Sequence, residues 1–595
     1  MSESAAPSPN QRWADLLVEE LVRAGVGLFC LAPGSRSTPL TAAVAANPKA
    51  QHVVHFDERG TAFCALGYAR ATGRPAAWIT TSGTAVANGL PAVVEASVDG
   101  VPLLLLTADR PPELRDTGAN QTIPQPSIFG DYVRWRFDLP VPTEAIDPAF
   151  VLTTADQAVY RATGRPAGPV HLNCMFREPL APEVNKALPI PEALQRWADS
   201  VEPYTRYTAP SAVEATEIEG LIGRLRAAER GLVVAGRLRT RAEGAWATML
   251  AEALDWPLLP DIASQVRLGT ISMGACAGFD HALGSEGFAA AHAPDAVVYL
   301  GGRSTSKRLG QYLARHRPAT FVVVRDDPFR FDPHHLVTDR VVADVTAFCK
   351  AFEDDSSAAD PAWLDAWRTA SDAALGAIAQ RIEASSVLTE PATARLAAGH
   401  AAHAGHGLVL AASMPVRDAD SFASPYDDDP PLVVSNRGAS GIDGTVATAA
   451  GVARGLGTPV TLLIGDLALL HDLNSLALLR DPAQPPVTVV VVNNDGGGIF
   501  HFLPIAQNER LFEPYFGTPH GLGFEHAARM FGLPYARPET PTALAEALAG
   551  TQRSGASSLI EVPTDRTANR ALHADLLARA AAAVTDTLSS AAPTP

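Results

Sequence analysis

Short apolar runs alternate along the chain with longer stretches whose apolar residues recur at helical spacing, and this alternation is typical of α/β proteins. In the first part of the chain the pattern predicts strands at 27–33, 52–56, 75–82 and 101–109 and helices at 12–25, 58–72 and 84–97. The strand runs are almost continuously apolar, which indicates parallel strands covered on both faces.

Two further regions repeat the alternation, with predicted strands at 231–236, 295–302 and 319–325, and then at 407–413, 432–436, 459–466, 486–495 and 557–563. Other segments are predicted to be a Pro-rich linker (178–212), an acidic helical stretch (353–385) and disordered ends (1–10 and 587–595). A chain of 595 residues is too long for one core. We therefore predict three doubly wound parallel-sheet α/β domains, at 1–185, 205–355 and 385–575, and the similarity of the outer two suggests duplication.

Composition narrows the class of protein. The net charge of -17 argues against sequence-independent nucleic-acid binding, although local arginines can still bind anions. The five cysteines are far apart and form no ligand motif, so we expect buried free thiols in a reducing cytoplasm. The N-terminus lacks the pattern of a signal peptide, and no apolar run has the length of a membrane helix. These features predict a cytoplasmic protein without membrane insertion.

Polar residues at the ends of two predicted strands have the form of a metal and diphosphate site. Asp466 ends one strand and Asn494 ends the next, and the carboxyl ends of parallel strands share one edge. A carboxylate, an amide oxygen and the carbonyl of Gly496 would supply half of an octahedral shell for Mg2+ or Mn2+. A predicted helix at 468–479 would direct N–H groups at the diphosphate, and the glycines at 496–498 would let the backbone approach it closely.

An isolated acid, Glu58, lies where a predicted strand meets an apolar helix. A carboxyl group hydrogen-bonded to an aminopyrimidine ring favours the imino form of that ring, which can then act as a base. This role requires a buried acid with a raised pKa, and the apolar residues on both sides of Glu58 make burial plausible. Together with the metal motif, Glu58 suggests thiamine diphosphate as the cofactor.

The metal motif resembles that of the pyruvate decarboxylase and acetohydroxy acid synthase superfamily, although Leu467 stands where that motif usually has Gly. The resemblance implies the corresponding fold and a cofactor site formed by Glu58, Ser413, Ile442, Gly465, Asp466, Leu467, Ala468, Asn494, Gly496 and Ile499. Ile442 would support the bent cofactor between its two rings. In this superfamily the acid and the metal site come from different subunits, so the resemblance implies a homodimer or a larger homo-oligomer, such as a tetramer.

Longer strings are more specific: LAPGSRSTPLT (31–41), SGTAVANGLPAVVEA (82–96), LTADRPPELRDTGANQTI (106–123), STSKRL (304–309), SMPVRDAD (413–420), SNRGASGIDGTVATAAGVA (435–453) and NNDGGGIFHFLP (493–504). Their order and length resemble the 2-succinyl-5-enolpyruvyl-6-hydroxy-3-cyclohexene-1-carboxylate synthase family of menaquinone biosynthesis. The resemblance extends from about residue 10 to 565.

This family resemblance implies decarboxylation of 2-oxoglutarate and 1,4-addition of the resulting succinyl-semialdehyde carbanion to isochorismate. Both substrates are dicarboxylates, which arginine binds well because its planar fork matches a carboxylate. The resemblance implies substrate contacts from Ser35, Arg36, Arg110, Gln121, Ser413, Arg417 and Arg437. It also implies that Lys307 and Arg308 bring the middle domain to the site, and that Ile499 and Phe500 form an apolar wall.

Two alternatives remain open from the sequence. One is another thiamine diphosphate-dependent 2-oxo acid decarboxylase or carboligase. The other is a nicotinamide-binding oxidoreductase or a non-catalytic nucleotide-binding module, which the fold class alone would permit. Neither member of the second class has a use for Glu58 or for the pair Asp466 and Asn494. His55, His471 and His501 are interpreted as structural, and Asp57 and Asp443 as local caps or turn acids.

Overall fold

The computed structural model describes residues 8–182, 191–207, 218–269, 274–352, 357–426 and 430–590. Within these ranges the strands form three sheets, and every strand pair is parallel. The predicted α/β class is therefore confirmed. The predicted disorder was wrong where it meets described residues, because a helix begins at Pro9 and the last helix continues to Ser590. The rest of those two ends lies outside the described residues.

The first sheet contains β1 (Leu28–Leu31), β2 (His52–Val54), β3 (Ala76–Thr80), β4 (Leu103–Asp109), β5 (Trp135–Leu139) and β6 (Pro169–Met175). Its order is β2-β1-β3-β4-β6-β5. The central strands are entirely buried, as their apolar runs predict. The chain leaves β1 towards β2 on one side and then crosses to β3 on the other, so a topological switch point lies between β1 and β3.

The second sheet contains β7 (Gly231–Ala235), β8 (Leu258–Pro260), β9 (Ala296–Leu300), β10 (Thr320–Arg325) and β11 (Asp339–Val342), in the order β11-β10-β9-β7-β8. The third contains β12 (Gly407–Leu410), β13 (Val433–Val434), β14 (Val460–Gly465), β15 (Val487–Asn493), β16 (Tyr535–Ala536) and β17 (Ser558–Pro563), in the order β13-β12-β14-β15-β17-β16. Counted from its own first strand, the third sheet has the same order as the first, which supports duplication.

Helices lie between the strands. Those in the first half of the chain are α1 (Pro9–Arg23), α2 (Thr38–Ala46), α3 (Glu58–Thr72), α4 (Thr84–Asn88), α5 (Leu90–Asp99), α6 (Ala149–Thr163), α7 (Gln195–Ala198), α8 (Glu219–Arg226), α9 (Arg241–Leu254), α10 (Phe279–Ala282) and α11 (Glu286–Ala291). The later ones are α12 (Lys307–Arg315), α13 (Val345–Lys350), α14 (Pro361–Glu383), α15 (Glu390–His403), α16 (Met414–Phe422), α17 (Thr445–Leu456), α18 (Asp466–His471), α19 (Glu509–Phe512), α20 (Glu525–Met530), α21 (Pro541–Ser554) and α22 (Arg566–Ser590).

The chain forms two compact units. The first lies within Met1–Pro210, Asn436–Gly457 and Asp472–Gln484 and contains the first sheet. The second lies within Ser211–Ser435, Thr458–His471 and Pro485–Pro595 and contains the other two sheets. Each unit has its own buried apolar core. The described helices include none that is long and apolar enough to cross a membrane, and all five cysteines are free and buried.

The predicted linker is partly folded. Residues 183–190 and 208–212 lie outside the described ranges, but the Trp197 side chain of α7 is buried in the core of the first unit. The guanidinium of Arg23 lies 4.1 Å from the centre of the Trp197 ring, and the indole Nε1 donates to Glu20 Oε2 at 2.5 Å. A single buried aromatic residue therefore fixes a segment whose proline content suggested only a connection.

A buried pair of carboxyl groups, Glu20 on α1 and Asp156 on α6, holds the segment that follows α7. Tyr204 N donates to Glu20, and Thr205 N donates to Asp156 Oδ2 at 2.7 Å. Burial and the adjacent Asp156 raise the pKa of Glu20 from its ordinary 4.5 to about 8. At neutral pH the folded pair therefore retains a proton that the unfolded chain releases.

We expect the free energy of unfolding to decrease with pH because of this pair. A raised folded pKa stabilises the protein fully below the ordinary pKa of 4.5, and this contribution is lost as the pH rises through about 8. Tm measured from pH 5 to 9 should fall, and Glu20→Gln should make its pH dependence shallower. Glu144→Gln, which changes an exposed carboxylate paired with Arg12, is the control and should leave the slope unaltered. Identical slopes for Glu20→Gln and the parent protein would contradict the assignment.

Candidate active site

The carboxyl edge of the first sheet gathers several of the predicted site residues. Ser35 and Arg36 follow β1, Glu58 follows β2, and Arg110 follows β4. In this sheet β2 is adjacent to β1, only β3 separates β1 from β4, and the switch point lies between β1 and β3. This edge is therefore where a doubly wound sheet binds its ligands.

Glu58 is the first residue of α3 and is half-buried in the single chain, so the expected burial is incomplete. Asn88 Nδ2 donates to Glu58 Oε2 at 3.2 Å. The preceding Asp57 is the N-cap, and its side chain accepts from the backbone of Arg59 and Gly60, so its predicted role as a cap is confirmed. Because Asp57 caps the helix, the Glu58 carboxyl group is not required for capping.

Two arginines at this edge are buried. Arg36, 7% exposed, donates to Phe176 O at 3.0 Å and lies 3.5 Å from Glu178 Oε1. Arg110, 9% exposed, donates to the Ser82 hydroxyl and to Gln121 O. Burial and the neighbouring charge of Arg36 lower the pKa of Arg110. The carboxylates of Asp109 and Glu178 act in the opposite direction and raise this pKa, and a bound carboxylate would do the same.

Gln121 belongs to the same cluster. Its backbone has φ of 60°, a conformation that non-glycine residues seldom adopt, and its Nε2 donates to Ser82 O at 2.8 Å. A Cβ on Gly83 would lie 2.7 Å from Gln121 Cγ, so glycine leaves room for this side chain. Strained backbone of this kind is concentrated at ligand sites. The structure thus brings Arg110 and Gln121 together, as the family resemblance implies.

The loop that carries Arg437 and Ile442 lies in the first unit and is held by a buried ion network. Glu95 accepts from Gly438 N at 2.9 Å and from Ala439 N at 2.6 Å. Arg70 Nη2 lies 2.9 Å from Glu95 Oε1, and its other nitrogen pairs with Asp99. Burial and Asp99 raise the pKa of Glu95, whereas Arg70 and the two N–H groups lower it.

The helix that follows this loop, α17, packs closely against α3. A Cβ on Gly451 in α17 would collide with Cys64 O of α3, and one on Gly67 in α3 would collide with Thr448 O. Only glycine permits such close approach of two helix backbones. The helix that begins with Glu58 is therefore fixed against the helix that follows Ile442.

The second unit contains the corresponding edge of the third sheet. Ser413 follows β12, Asp466 follows β14, and Asn494 follows β15. Ser413 has φ of 72°, and its carbonyl accepts from Arg417 Nη1 at 2.5 Å. Gly465 ends β14, and Leu467 and Ala468 lie in the first turn of α18. The predicted metal and diphosphate residues therefore occupy one sheet edge.

Asp466 connects the two strand ends. Its Oδ2 accepts from Asn494 N at 3.1 Å and from Gly496 N at 2.9 Å, and its Oδ1 accepts from Leu467 N at 2.6 Å. His520 Nε2 lies 3.2 Å from the same Oδ2. Gly496 has φ of 131°, and a Cβ there would collide with Gly517 O. This packing requires glycine at 496.

The side chain of Asn494 fits the predicted metal. The residue is buried, its Nδ2 donates to Glu390 Oε1 at 2.9 Å, and its Oδ1 has no hydrogen-bond partner among the described residues. A buried amide oxygen without a partner is costly unless a ligand satisfies it. No group of three or more His, Cys, Asp or Glu residues in the described ranges could hold a metal, but Asp466, an amide and a carbonyl suit Mg2+.

Glu390 is the residue that accepts the hydrogen bond from the Asn494 side chain. Burial and the nearby Asp418 raise the pKa of Glu390 to about 7, whereas hydrogen bonds from Asn494 and Thr564 lower it. Sequence reasoning missed Glu390 and Glu95. Glu390 directly follows the N-cap residue Thr389, so in the sequence it resembles an ordinary acid in the first turn of a helix. Glu95 is part of the string at 82–96, but that string gives it no role.

The remaining predicted residues lie apart from these contacts. Ile499 and Phe500 are half-buried in a short 3-10 helix, where the Phe500 ring meets Phe516 with a centroid separation of 5.6 Å. Arg308 Nη1 donates to the carboxylate of Asp280 at 2.5 Å. Lys307 begins α12 and is exposed. Arg308 is therefore ion-paired in this structure.

The predicted helix at 468–479 was wrong in its extent. The α-helix spans only Asp466–His471, and a 3-10 helix spans Leu473–Arg480. Between them Asp472 is buried and accepts from Ser475 Oγ at 2.7 Å and Ala447 N at 3.0 Å. Short polar side chains that bond nearby backbone interrupt helices in this way.

Two of the three histidines considered from the sequence are buried. Burial lowers the pKa of His55 to about 4, and it also lowers the pKa of His501. Both imidazoles are therefore neutral at physiological pH. His471 ends α18 and is exposed.

Comparison with known proteins assigns all three parts of the chain to one class. Residues 11–128 match the N-terminal thiamine pyrophosphate-binding domain of thiamine pyrophosphate enzymes, and 423–562 match the C-terminal one. Residues 190–402 match the family model described as the middle domain of thiamine pyrophosphate.

Curated proteins are similar to the whole chain. The 2-succinyl-5-enolpyruvyl-6-hydroxy-3-cyclohexene-1-carboxylate synthase of Rubrobacter xylanophilus is 59% identical over 582 residues, which cover 97% of this chain and 99% of that protein. The synthase of the same name from Salinibacter ruber is 54% identical, covering 96% of each chain. That of Chlorobaculum tepidum is 45% identical and covers 95% of this chain and 96% of its own.

Proposed function

Because this chain belongs to the 2-succinyl-5-enolpyruvyl-6-hydroxy-3-cyclohexene-1-carboxylate synthase family of thiamine diphosphate enzymes, we propose that it decarboxylates 2-oxoglutarate and adds the remaining four-carbon unit to isochorismate. The addition is a 1,4-addition, and the product serves menaquinone biosynthesis. The observation that carries the choice of substrates is the pair of buried arginines, Arg36 and Arg110, at one sheet edge. Guanidinium groups at the ligand-binding edge of a sheet, in a protein of net charge -17, favour dicarboxylates.

Thiamine diphosphate, when bound, supplies the carbon nucleophile and the electron sink that decarboxylation needs. Asp466, Asn494 Oδ1 and the Gly496 carbonyl would hold Mg2+ against the diphosphate, and Gly465, Leu467 and Ala468 would line it. The free Oδ1 of Asn494 supports this assignment. Ile442 would support the bent cofactor between its two rings, and Glu58 would donate a hydrogen bond to its pyrimidine ring.

The remaining residues would bind and orient the substrates. Arg36, Arg110, Arg417 and Arg437 suit their carboxylates, since each guanidinium presents two parallel donors. Ser35, Gln121 and Ser413 would add neutral hydrogen bonds, and Ile499 with Phe500 would exclude water beside the reacting carbon. Lys307 and Arg308 would approach from the middle domain.

We propose that each chain has three domains, at 1–185, 205–355 and 385–575. We also propose a homo-oligomer in which Glu58 of one subunit serves the metal site of another. The arrangement follows from the superfamily resemblance. We place the enzyme in the cytoplasm, which the five free and buried cysteines support.

A single assay tests the proposed reaction. Purified protein with thiamine diphosphate, Mg2+, 2-oxoglutarate and isochorismate should consume isochorismate, measured by its ultraviolet absorbance, only when 2-oxoglutarate and the cofactor are both present. Release of CO2 from 2-oxoglutarate without loss of isochorismate would indicate another carboligase or a decarboxylase. Loss of neither substrate from cofactor-loaded protein would overturn the proposal.

A further inference from the structure

The amide of Asn494 is held in one orientation by a contact on the side away from its free oxygen. Its Nδ2 donates to Glu390 Oε1 at 2.9 Å, and its Oδ1 is buried without a partner among the described residues. A Cβ on Gly498 would lie 2.7 Å from Asn494 Nδ2, so the amide is closely packed where it is held.

The chemistry of the partner decides which way the amide faces. The two orientations of an asparagine amide have nearly the same shape, so packing alone discriminates poorly between them. Only the amide oxygen can ligate a divalent cation, because the nitrogen has no available lone pair. Glu390 Oε1 also lies 3.1 Å from Thr564 Oγ1, which donates to it. An oxygen that accepts two hydrogen bonds selects the nitrogen of Asn494 and leaves Oδ1 on the opposite side.

Glu390 is itself fixed. It is 2% exposed and begins α15, where the N-cap Thr389 accepts from Ala392 N at 3.3 Å. The backbone of Thr564 donates to Asn493 O at 2.9 Å, so the ends of β17 and β15 are joined next to the acid. Thr564 therefore links the Glu390 carboxylate by hydrogen bonds to the strand end that precedes Asn494.

We propose that Glu390 is a positioning residue for the metal: it orients the Asn494 amide so that its oxygen is available to Mg2+. The inference rests on the proposed role of Asn494 as a metal ligand and assigns no contact between Glu390 and the cofactor. Outer-shell partners of this kind typically change metal affinity by about 10–100-fold when removed.

The quantity to measure is the Mg2+ concentration at which binding of thiamine diphosphate is half-maximal. Titration calorimetry without substrates measures this binding. Glu390→Leu removes the acceptor and should raise this concentration by about 10–100-fold. Glu390→Gln keeps an oxygen that can accept from Asn494 and should stay within a few-fold of the parent protein. A purely structural role would lower Tm without changing the Mg2+ requirement.

The chain offers a matched control. Glu561 is buried on β17 and accepts from Nδ2 of the neighbouring Asn493 at 2.8 Å, which is the same kind of pair without a predicted ligand. Glu561→Leu should therefore lower Tm while leaving the Mg2+ requirement within a few-fold of the parent protein. An equal rise in both variants would show that loss of a buried acid, rather than orientation of Asn494, is responsible.

A second substitution tests orientation directly. Asn494→Asp presents an oxygen whichever way it faces, so adding it to Glu390→Leu should restore much of the lost Mg2+ affinity. Failure of this rescue would overturn the proposal, as would an unchanged Mg2+ requirement in Glu390→Leu. If Asn494→Ala itself leaves the Mg2+ requirement unaltered, the metal assignment in the proposed function is wrong.

Discussion

Replacing Glu58 by Gln is expected to lower kcat by about 10²–10⁴-fold while thiamine diphosphate still binds, since positioned proton transfer contributes a factor of that size. Gln has almost the same shape and can donate a hydrogen bond, but it cannot exchange a proton with the pyrimidine ring. The loss should therefore fall on turnover more than on cofactor affinity. The measurement is kcat together with the dissociation constant of thiamine diphosphate.

The neighbouring acid provides the control for Glu58. Asp57 caps α3 through the N–H groups of Arg59 and Gly60, and Asn is an equally good N-cap. Asp57→Asn should therefore retain most of the turnover, although it removes a charge next to Glu58. Full turnover in Glu58→Gln would exclude this residue from the chemistry. Loss of cofactor binding in that variant would assign Glu58 to binding instead.

Most of the strands were predictable because burial on both faces leaves an unbroken apolar run, whereas β5, β6, β8, β11 and β16 were not predicted. The predicted strand at 101–109 became β4, Leu103–Asp109, in which every residue is buried. By contrast β6 was missed, since His171 and Asn173 interrupt its apolar pattern. Inside the fold these residues bond to Thr107 and Gln125. Pairing between distant polar residues of this kind cannot be read from a local pattern.

The same contrast between local patterns and distant contacts applies to the residues of the candidate site. The positions of Asp466 and Asn494 at one sheet edge were predictable, because each follows an apolar strand and the two strands are parallel neighbours. Glu95 and Glu390 were not, because their role is to accept hydrogen bonds from other site elements. An acid in a helix gives no local sign that it is buried or which distant N–H it satisfies.

Replacing Asp466 by Ala is expected to abolish Mg2+-dependent binding of thiamine diphosphate, with a loss beyond the 10–100-fold typical of an outer-shell residue. The substitution removes the proposed charged ligand and also the acceptor for Asn494 N and Gly496 N. Asp466→Asn, which keeps one oxygen for these groups but lacks the charge, should bind more weakly than the parent protein yet remain folded. Calorimetry with and without Mg2+ measures the difference. An unchanged cofactor affinity in both variants would refute the metal assignment.

The same variant shows whether the site is shared between subunits. If Glu58 and Asp466 of one site come from different chains, a hybrid dimer of Glu58→Gln and Asp466→Ala subunits has one site with both substitutions and one with neither. Random pairing of equal amounts makes half of the dimers hybrid, so about a quarter of the parent activity should return. If both residues served a site within one chain, no dimer would contain an intact site and activity would stay at the level of the inactive variants. Co-expression of the two differently tagged variants, with the parent protein tagged in the same way as control, separates these outcomes.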